Sequence, residues 1–337
     1  MNRPAYFLLL SMIAMLILQL PGCDSTGAQG GKKGRILPNV TGGAGEVLVV
    51  MDKFNWENAA GEALRNVLMK EVPALPQSEP SFDISQTTAA SFDGFFQFHR
   101  TIVLTAINPS LKEPVIGFRE DVWARPQIVV DLQAASSQQL IELIDANQDK
   151  ILNLLLQYDR KRLMSVYKSS SDPALQETIL KDHQVKVVFP RGYNLDLSNK
   201  EYSSVSIETP DYSQVVQIYE YPAESEEALS TENLMAMRDK ITEKYVRGPD
   251  DSSYMVIAGI LPPIVYDLKI NQRNVVEMRG LWELRGGFMG GPFVSHAFYD
   301  AARKRVVVID GYVFYPNEKK RIRLRQVEAV VYSMEPV

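Results

Sequence analysis

The side chains able to do chemistry in this chain of 337 residues are few and far apart. Cys23 is the only thiol, so a disulfide or a multi-cysteine metal site is excluded. Histidines occur at 99, 183 and 296 only, with no HxH or HxxxH spacing. A metal site would need the fold to gather them with carboxylates, and none is expected. Asp52 and Asp131 each end an apolar strand-like run, where α/β enzymes place an acid, a base or a metal ligand. Capping of the turn or helix that follows explains either aspartate without chemistry, and is the favoured reading. There is no GxSxG elbow, and Ser169-Ser170-Ser171 lies at a boundary, away from any strand-to-helix turn. A carboxylate-based hydrolase near Asp52 and Asp131 is therefore the alternative, not the leading reading. It would need two of Asp52, Asp131, Glu120, Asp121 or a histidine in one concave pocket.

One glycine-rich segment stands out: Arg285, Gly286, Gly287, Phe288, Met289, Gly290, Gly291, Pro292 and Phe293. Two Gly-Gly pairs permit close backbone approach, as in a phosphate cradle. No Lys-Ser/Thr follows and no helix is expected to start there, so no cofactor is implied. A mobile β-connection is the simpler reading. Phe288, Met289 and Phe293 would then be apolar side chains on a flexible loop, suited to contact with a partner protein or lipid.

These residues must be positioned by elements that the periodicity outlines. Residues 1–22 hold one charge, Arg3, and an apolar stretch from Ala5 to Leu20, too short to span a bilayer and right for a signal peptide. Residues 23–45 are Ser, Thr, Gly, Gln, Lys and Pro with little apolar content, and read as a flexible tether. The body follows. A strand at 46–52 leads, after a cap at Asn55, into a helix to about Lys70. Strands at 101–107, 115–121 and 127–132 precede a long helix at 137–158. Ser169 to Pro173 marks a boundary between an N-terminal α/β subdomain, 46–168, and a C-terminal α+β subdomain, 172–337. Beyond it, strand patterns at 185–189, 203–209, 215–221, 255–260, 264–270, 275–283, 294–299 and 306–315 accompany helices at 231–245 and 318–334. The fold class is α+β: two α/β subdomains with mainly antiparallel sheets flanked by helices. The strand-then-helix units recurring in each half leave a diverged duplication open.

Charge narrows the partners. Without Arg3, 35 basic residues face 41 acidic ones, a net of −6 against −5 for the whole chain. A mildly acidic body argues against nucleic acid.

Leu20-Pro21-Gly22-Cys23 resembles the lipobox of bacterial lipoproteins, with Pro21 departing from the commonest second residue. The resemblance implies a diacylglycerol thioether on Cys23 and acylation, of the palmitate kind, of the new amino group. An ordinary cleaved signal or an uncleaved anchor leaves Cys23 incidental. Asp24-Ser25-Thr26 is similar to the short O-glycosylation signal of Bacteroidota envelopes, and no acidic export cluster follows Cys23. A membrane-anchored, periplasm-facing body is therefore expected. Gly45 to Asp52 with Trp56, Phe98-His99-Arg100, Phe189-Pro190-Arg191-Gly192-Tyr193, and Arg279-Gly280-Leu281-Trp282 before Gly290-Gly291-Pro292-Phe293 are similar to an uncharacterised lipoprotein family of Bacteroidota, DUF4837. That resemblance spans nearly the whole mature chain and supplies no activity. The second half also resembles the PsbP-like and Mog1 class of α/β/α sandwiches, through Val187 to Tyr193 and Val306 to Met334. Such folds imply a binding or assembly module.

Overall fold

The computed structural model describes residues 36–250 and 252–337. The expected signal peptide, Cys23, Asp24-Ser25-Thr26 and most of the expected tether lie outside the described residues. The tether was expected to run to residue 45, but the chain is tied to the body from Pro38 onward. Arg125 N donates to Pro38 O at 2.8 Å, Thr41 N donates to Phe98 O at 2.8 Å, and Gly45 N donates to the Asp159 carboxylate at 3.1 Å. Leu37–Val337 forms one compact unit.

The first half is built on a five-stranded sheet of β1 (Glu46–Val50), β2 (Asp83–Thr87), β3 (Thr101–Ile107), β4 (Val115–Glu120) and β5 (Ile128–Ala134), in the order β2-β1-β3-β5-β4. Three of its four pairings are parallel, and only β4 runs antiparallel, against β5. Across the chain the sheets are mainly antiparallel, as expected, and this one is the parallel exception. Buried parallel strands read as unbroken apolar runs, which is what Val47 to Met51 and Ile128 to Val130 are. Helices α1 (Lys53–Glu57), α2 (Ala59–Leu68), α3 (Ser137–Ala146) and α4 (Gln148–Ser169) accompany the sheet, and apolar side chains of the last three pack on the face that carries Val47, Val49 and Val130. The other face holds Leu48, Val50, Ile102 and Val129 beneath Phe92 and Trp123.

The second half opens with α5 (Pro173–His183), its N-cap Asp172 accepting from Ala174 N and Leu175 N with Pro173 in the first turn. After the short β6 (Val185–Lys186), the strands β7 (Asn194–Ser198), β8 (Tyr202–Glu208) and β9 (Ser213–Pro222) lead to α6 (Thr231–Tyr245). Then come β10 (Tyr254–Ile257), β11 (Ile264–Ile270), β12 (Arg273–Arg285), β13 (Gly290–Asp300), β14 (Arg305–Phe314), α7 (Arg321–Val331) and β15 (Glu335–Pro336). The order is β10-β12-β13-β14-β9-β8-β7, with β11 also on β12, and every pairing is antiparallel. Strand alternation assigns the faces. Val307, Ile309 and Val313 pack toward α5 and α7, whereas Val306, Val308 and Tyr312 pack toward α6. The chain is α+β, but the halves do not repeat one another, because one sheet is largely parallel and the other antiparallel.

β11 and β12 are joined by Asn271-Gln272, both at positive φ (49° and 66°), the geometry of a type I′ hairpin. Gln272 holds a conformation that costs a side-chain-bearing residue about 1 kcal/mol. Gln272→Gly is expected to raise stability by about that amount, seen as a higher urea midpoint with unchanged slope.

Candidate functional site

The structure scatters the residues expected to carry chemistry. Asp52 is the N-cap of α1, accepting from Asn55 N at 3.0 Å and from its side chain at 2.7 Å. Burial works against its charge, but these bonds hold the carboxyl below its usual range. Asn55, expected as the cap, instead sits inside the helix that Asp52 caps. Asp131 lies two strands away and is clamped by Arg119 through two bonds of 2.6 and 2.8 Å. Glu120 pairs with Lys161 and Asp121 with Arg125. Neither aspartate lines the cleft described below, and the condition for a hydrolase there is not met. No group of three or more histidine, cysteine or carboxylate side chains converges as a metal site among the described residues.

The glycine-rich segment is a β12–β13 hairpin, not a long mobile loop. Glu283 pairs with Gly290 in register, and Leu284 N donates to Met289 O at 2.8 Å. Gly286 supplies a positive φ of 79° at the turn. Gly291 lies so close to β14 that a Cβ would meet Val313 O at 2.0 Å. Phe293, expected at the surface, is fully buried beneath the Arg238 guanidinium at 3.7 Å. Arg285 donates to the Tyr254 hydroxyl. Of the apolar side chains expected on this segment, Phe288 is fully exposed and Met289 partly so.

The feature that sequence reasoning missed is a cleft of ≈ 600 Å³ between the halves. One wall is α4, with Leu152, Leu156 and Leu163; the other is α7, with Arg321, Leu324, Arg325 and Glu328. Tyr266 and Leu268 of β11 and Glu277 and Arg279 of β12 close it. Alternation on β12 turns Glu277 and Arg279 to this side and Met278 and Trp282 to the α6 side. Glu277 faces His296 in register and accepts its Nε2 at 2.9 Å, Arg279 Nε at 2.7 Å and the Tyr332 hydroxyl at 2.7 Å. Arg279 also reaches Glu328 at 3.2 Å. Glu328 takes a further bond from Arg160, whose guanidinium lies 3.5 Å over the Tyr332 ring. Asp159 receives three guanidiniums: Arg162 at 2.9 Å, Arg325 at 3.3 Å and Arg100 at 3.7 Å. From the first half, Glu79 accepts Lys320 N at 2.6 Å and Arg321 N at 3.1 Å, closing the start of α7.

Burial would raise the Glu277 carboxyl, yet the His296 bond and the Arg279 charge hold it well below the carboxylate range. Glu328 is likewise held down by Arg279 and Arg160 against its burial. Burial pushes Tyr332 up, pulls His296 down, and brings Arg162 down to about 10. A carboxyl depressed in the native state stabilises fully above its unfolded value, near 4.5, and loses that contribution as pH falls toward the native value. The stability gap between the parent and Glu277→Gln is therefore expected to be about 2 kcal/mol at neutral pH and to narrow below that value, in urea titrations at stepped pH.

Residues 40–168 match the family described as Domain of unknown function (DUF8532), and residues 172–333 match Domain of unknown function (DUF4837). The two matches lie side by side along the chain, and each covers less than half of it. The family expected across the mature chain thus covers only its second half, and the motifs from Gly45 to Arg100 fall in DUF8532. No curated protein matches in sequence. Among solved structures, the Ran-binding protein Mog1p of Saccharomyces cerevisiae is similar at 11% identity and a TM-score of 0.30, over 45% of this chain and 89% of that one. A Bacteroides thetaiotaomicron protein is similar at 9% identity and TM-score 0.24, over 46% and 45%. The lipid transfer and protein localization domain of human StarD13 follows at 10% identity and TM-score 0.22, over 49% and 96%. The cleft lies where α4, at the end of the segment similar to DUF8532, meets β11, β12 and α7 in the segment similar to DUF4837.

Proposed function

We propose that this protein is a lipid-anchored, periplasm-facing envelope protein that binds a ligand in the cleft between its two domains without transforming it. The observation that carries the binding reading is the state of the cleft's acids and bases. General acid–base catalysis works best with a group titrating near the working pH. Here Glu277 and Glu328 are held low by the guanidiniums beside them and Tyr332 is held high by burial. Such a wall presents fixed charge and shape, which suits recognition. The apolar N-terminal stretch and the lipobox-like Leu20 to Cys23 support the anchor. Two or three acyl chains make such an anchor durable, at about 0.8 kcal/mol per buried CH₂.

The anchor is tested by metabolic labelling with alkyne-palmitate and by fractionation. Label and membrane association are expected in the parent and lost in Cys23→Ser. Labelling that survives in the variant would sink the reading. The hairpin tip, Phe288 with Met289, is the second contact we propose, to another envelope protein, because a fully exposed phenylalanine has no structural use there. Phe288→Ser should leave stability within about 0.5 kcal/mol while reducing crosslinks from the tip to neighbouring proteins.

A further inference from the structure

Resting on the reading of the cleft as a binding site, we infer that its ligand is a single-chain anionic amphiphile, a long-chain carboxylate. The headgroup lies among Arg160, Arg321 and Arg325 and the chain lies along the leucine wall.

Charge is the first reason. The lining holds four buried or partly buried arginines, 160, 279, 321 and 325, against three such carboxylates, Asp159, Glu277 and Glu328, with Asp83 outside it paired to Arg321. Asp159 is moreover shared with Arg100 and Arg162 behind it. Lys70, Glu71 and Asp149 also line the cleft, but they are exposed and screened by salt. The deep part is thus short of negative charge, where such a shortage is felt most.

Unused donors are the second reason. Arg321 is 5% exposed, and its Nε is buried without an acceptor, while its two other nitrogens serve Asp83 and Pro80 O. Arg160 spends one nitrogen on Glu328. A planar carboxylate matches guanidinium edges of this kind.

The apolar wall is the third. Leu152, Leu156 and Leu163 share one face of α4 and look across to Leu268 and Leu324. An inorganic anion would leave this wall against water, and an uncharged lipid would leave the arginine donors unanswered. The volume of ≈ 600 Å³ falls among sites for drug-sized molecules, about 300–1,000 Å³, and is too small for the two chains of a phospholipid.

The test uses the full chain in lipid nanodiscs and a dodecanoate probe carrying a photoactivatable tail, with crosslinked peptides mapped by mass spectrometry. Labelling is expected within 148–169 and 321–331, displaced by plain dodecanoate but not by dodecyltrimethylammonium or butyrate. Arg160→Gln should weaken displacement about tenfold, or about 1.4 kcal/mol. Arg160→Lys, which keeps the charge, should weaken it less than threefold, and Leu156→Trp, which fills the cleft, should abolish labelling. Equal displacement by the cationic amphiphile would overturn the assignment of an anion while leaving the cleft a binding site. Labelling outside the cleft, or unaffected by Leu156→Trp, would overturn both.

Discussion

Replacing Asp310 by alanine is expected to destabilise the protein by about 3–5 kcal/mol, a large part of the about 5–15 kcal/mol that keeps a typical protein folded. Asp310 on β14 and Arg238 on α6 are both fully buried. They meet through Nε–Oδ2 at 2.8 Å and Nη2–Oδ1 at 3.3 Å. Gln217 donates to the same carboxylate at 2.8 Å and accepts from the Tyr202 hydroxyl at 3.1 Å. The guanidinium lies over the Phe293 ring, and its second terminal nitrogen, Nη1, has no acceptor. Without the carboxylate, a cation with no exit to water stays in the core, and its desolvation cost is no longer offset. Removing both charges is different. Arg238→Met with Asp310→Leu should recover most of the loss, because apolar groups of similar volume often replace a buried pair without penalty. Urea unfolding of the three proteins at neutral pH decides the matter. An Asp310→Ala variant within about 1 kcal/mol of the parent would show that the pair carries no such weight.

Asp159→Ala is expected to cost a similar 3–5 kcal/mol, and to do so at the seam between the halves. One carboxylate there answers three guanidiniums from β3's entry, α4 and α7, and also receives Gly45 N. Its loss leaves Arg100, Arg162 and Arg325 facing one another in a buried site, with Arg162 already drawn down to about 10 by burial. Hydrogen exchange should show faster opening of the 38–45 segment and of α7, while α6 on the far face of the second sheet keeps its protection. Uniform loss of protection over the chain would contradict a seam-specific role.

How much of this was legible in the sequence depended on the range of each interaction. The helix at Thr231–Tyr245 and the strands Thr101–Ile107 and Ile264–Ile270 match the periodicity, because their signals are local. β2 and β7 escaped it. Both are edge strands, with only Thr87 of β2 buried and Leu195 and Leu197 of β7 exposed, so neither shows an apolar run. Parallel pairing in the first sheet, although compatible with its unbroken apolar strands, is fixed by crossovers that periodicity does not see. The exposure of Phe293 was misjudged because its glycine-rich surroundings suggested a loop, whereas those glycines let β13 pack tightly. The cleft was the hardest to see. Arg160 and Glu328 are separated by 168 residues, and Asp159 and Arg325 by 166. The one local hint was charge at the inward positions 277 and 279 of a strand buried on both faces. Arg279 even opened the motif Arg279-Gly280-Leu281-Trp282 without a role being visible for it.

The most direct measurement is native mass spectrometry of the full chain released gently from its own membranes. One non-covalent adduct is expected, fragmenting as a single-chain carboxylate, on a protein whose Cys23 carries covalent lipid, and the adduct should vanish in Leu156→Trp while the covalent lipid stays. An empty parent protein, or an adduct that persists in Leu156→Trp, would contradict the assignment of the cleft.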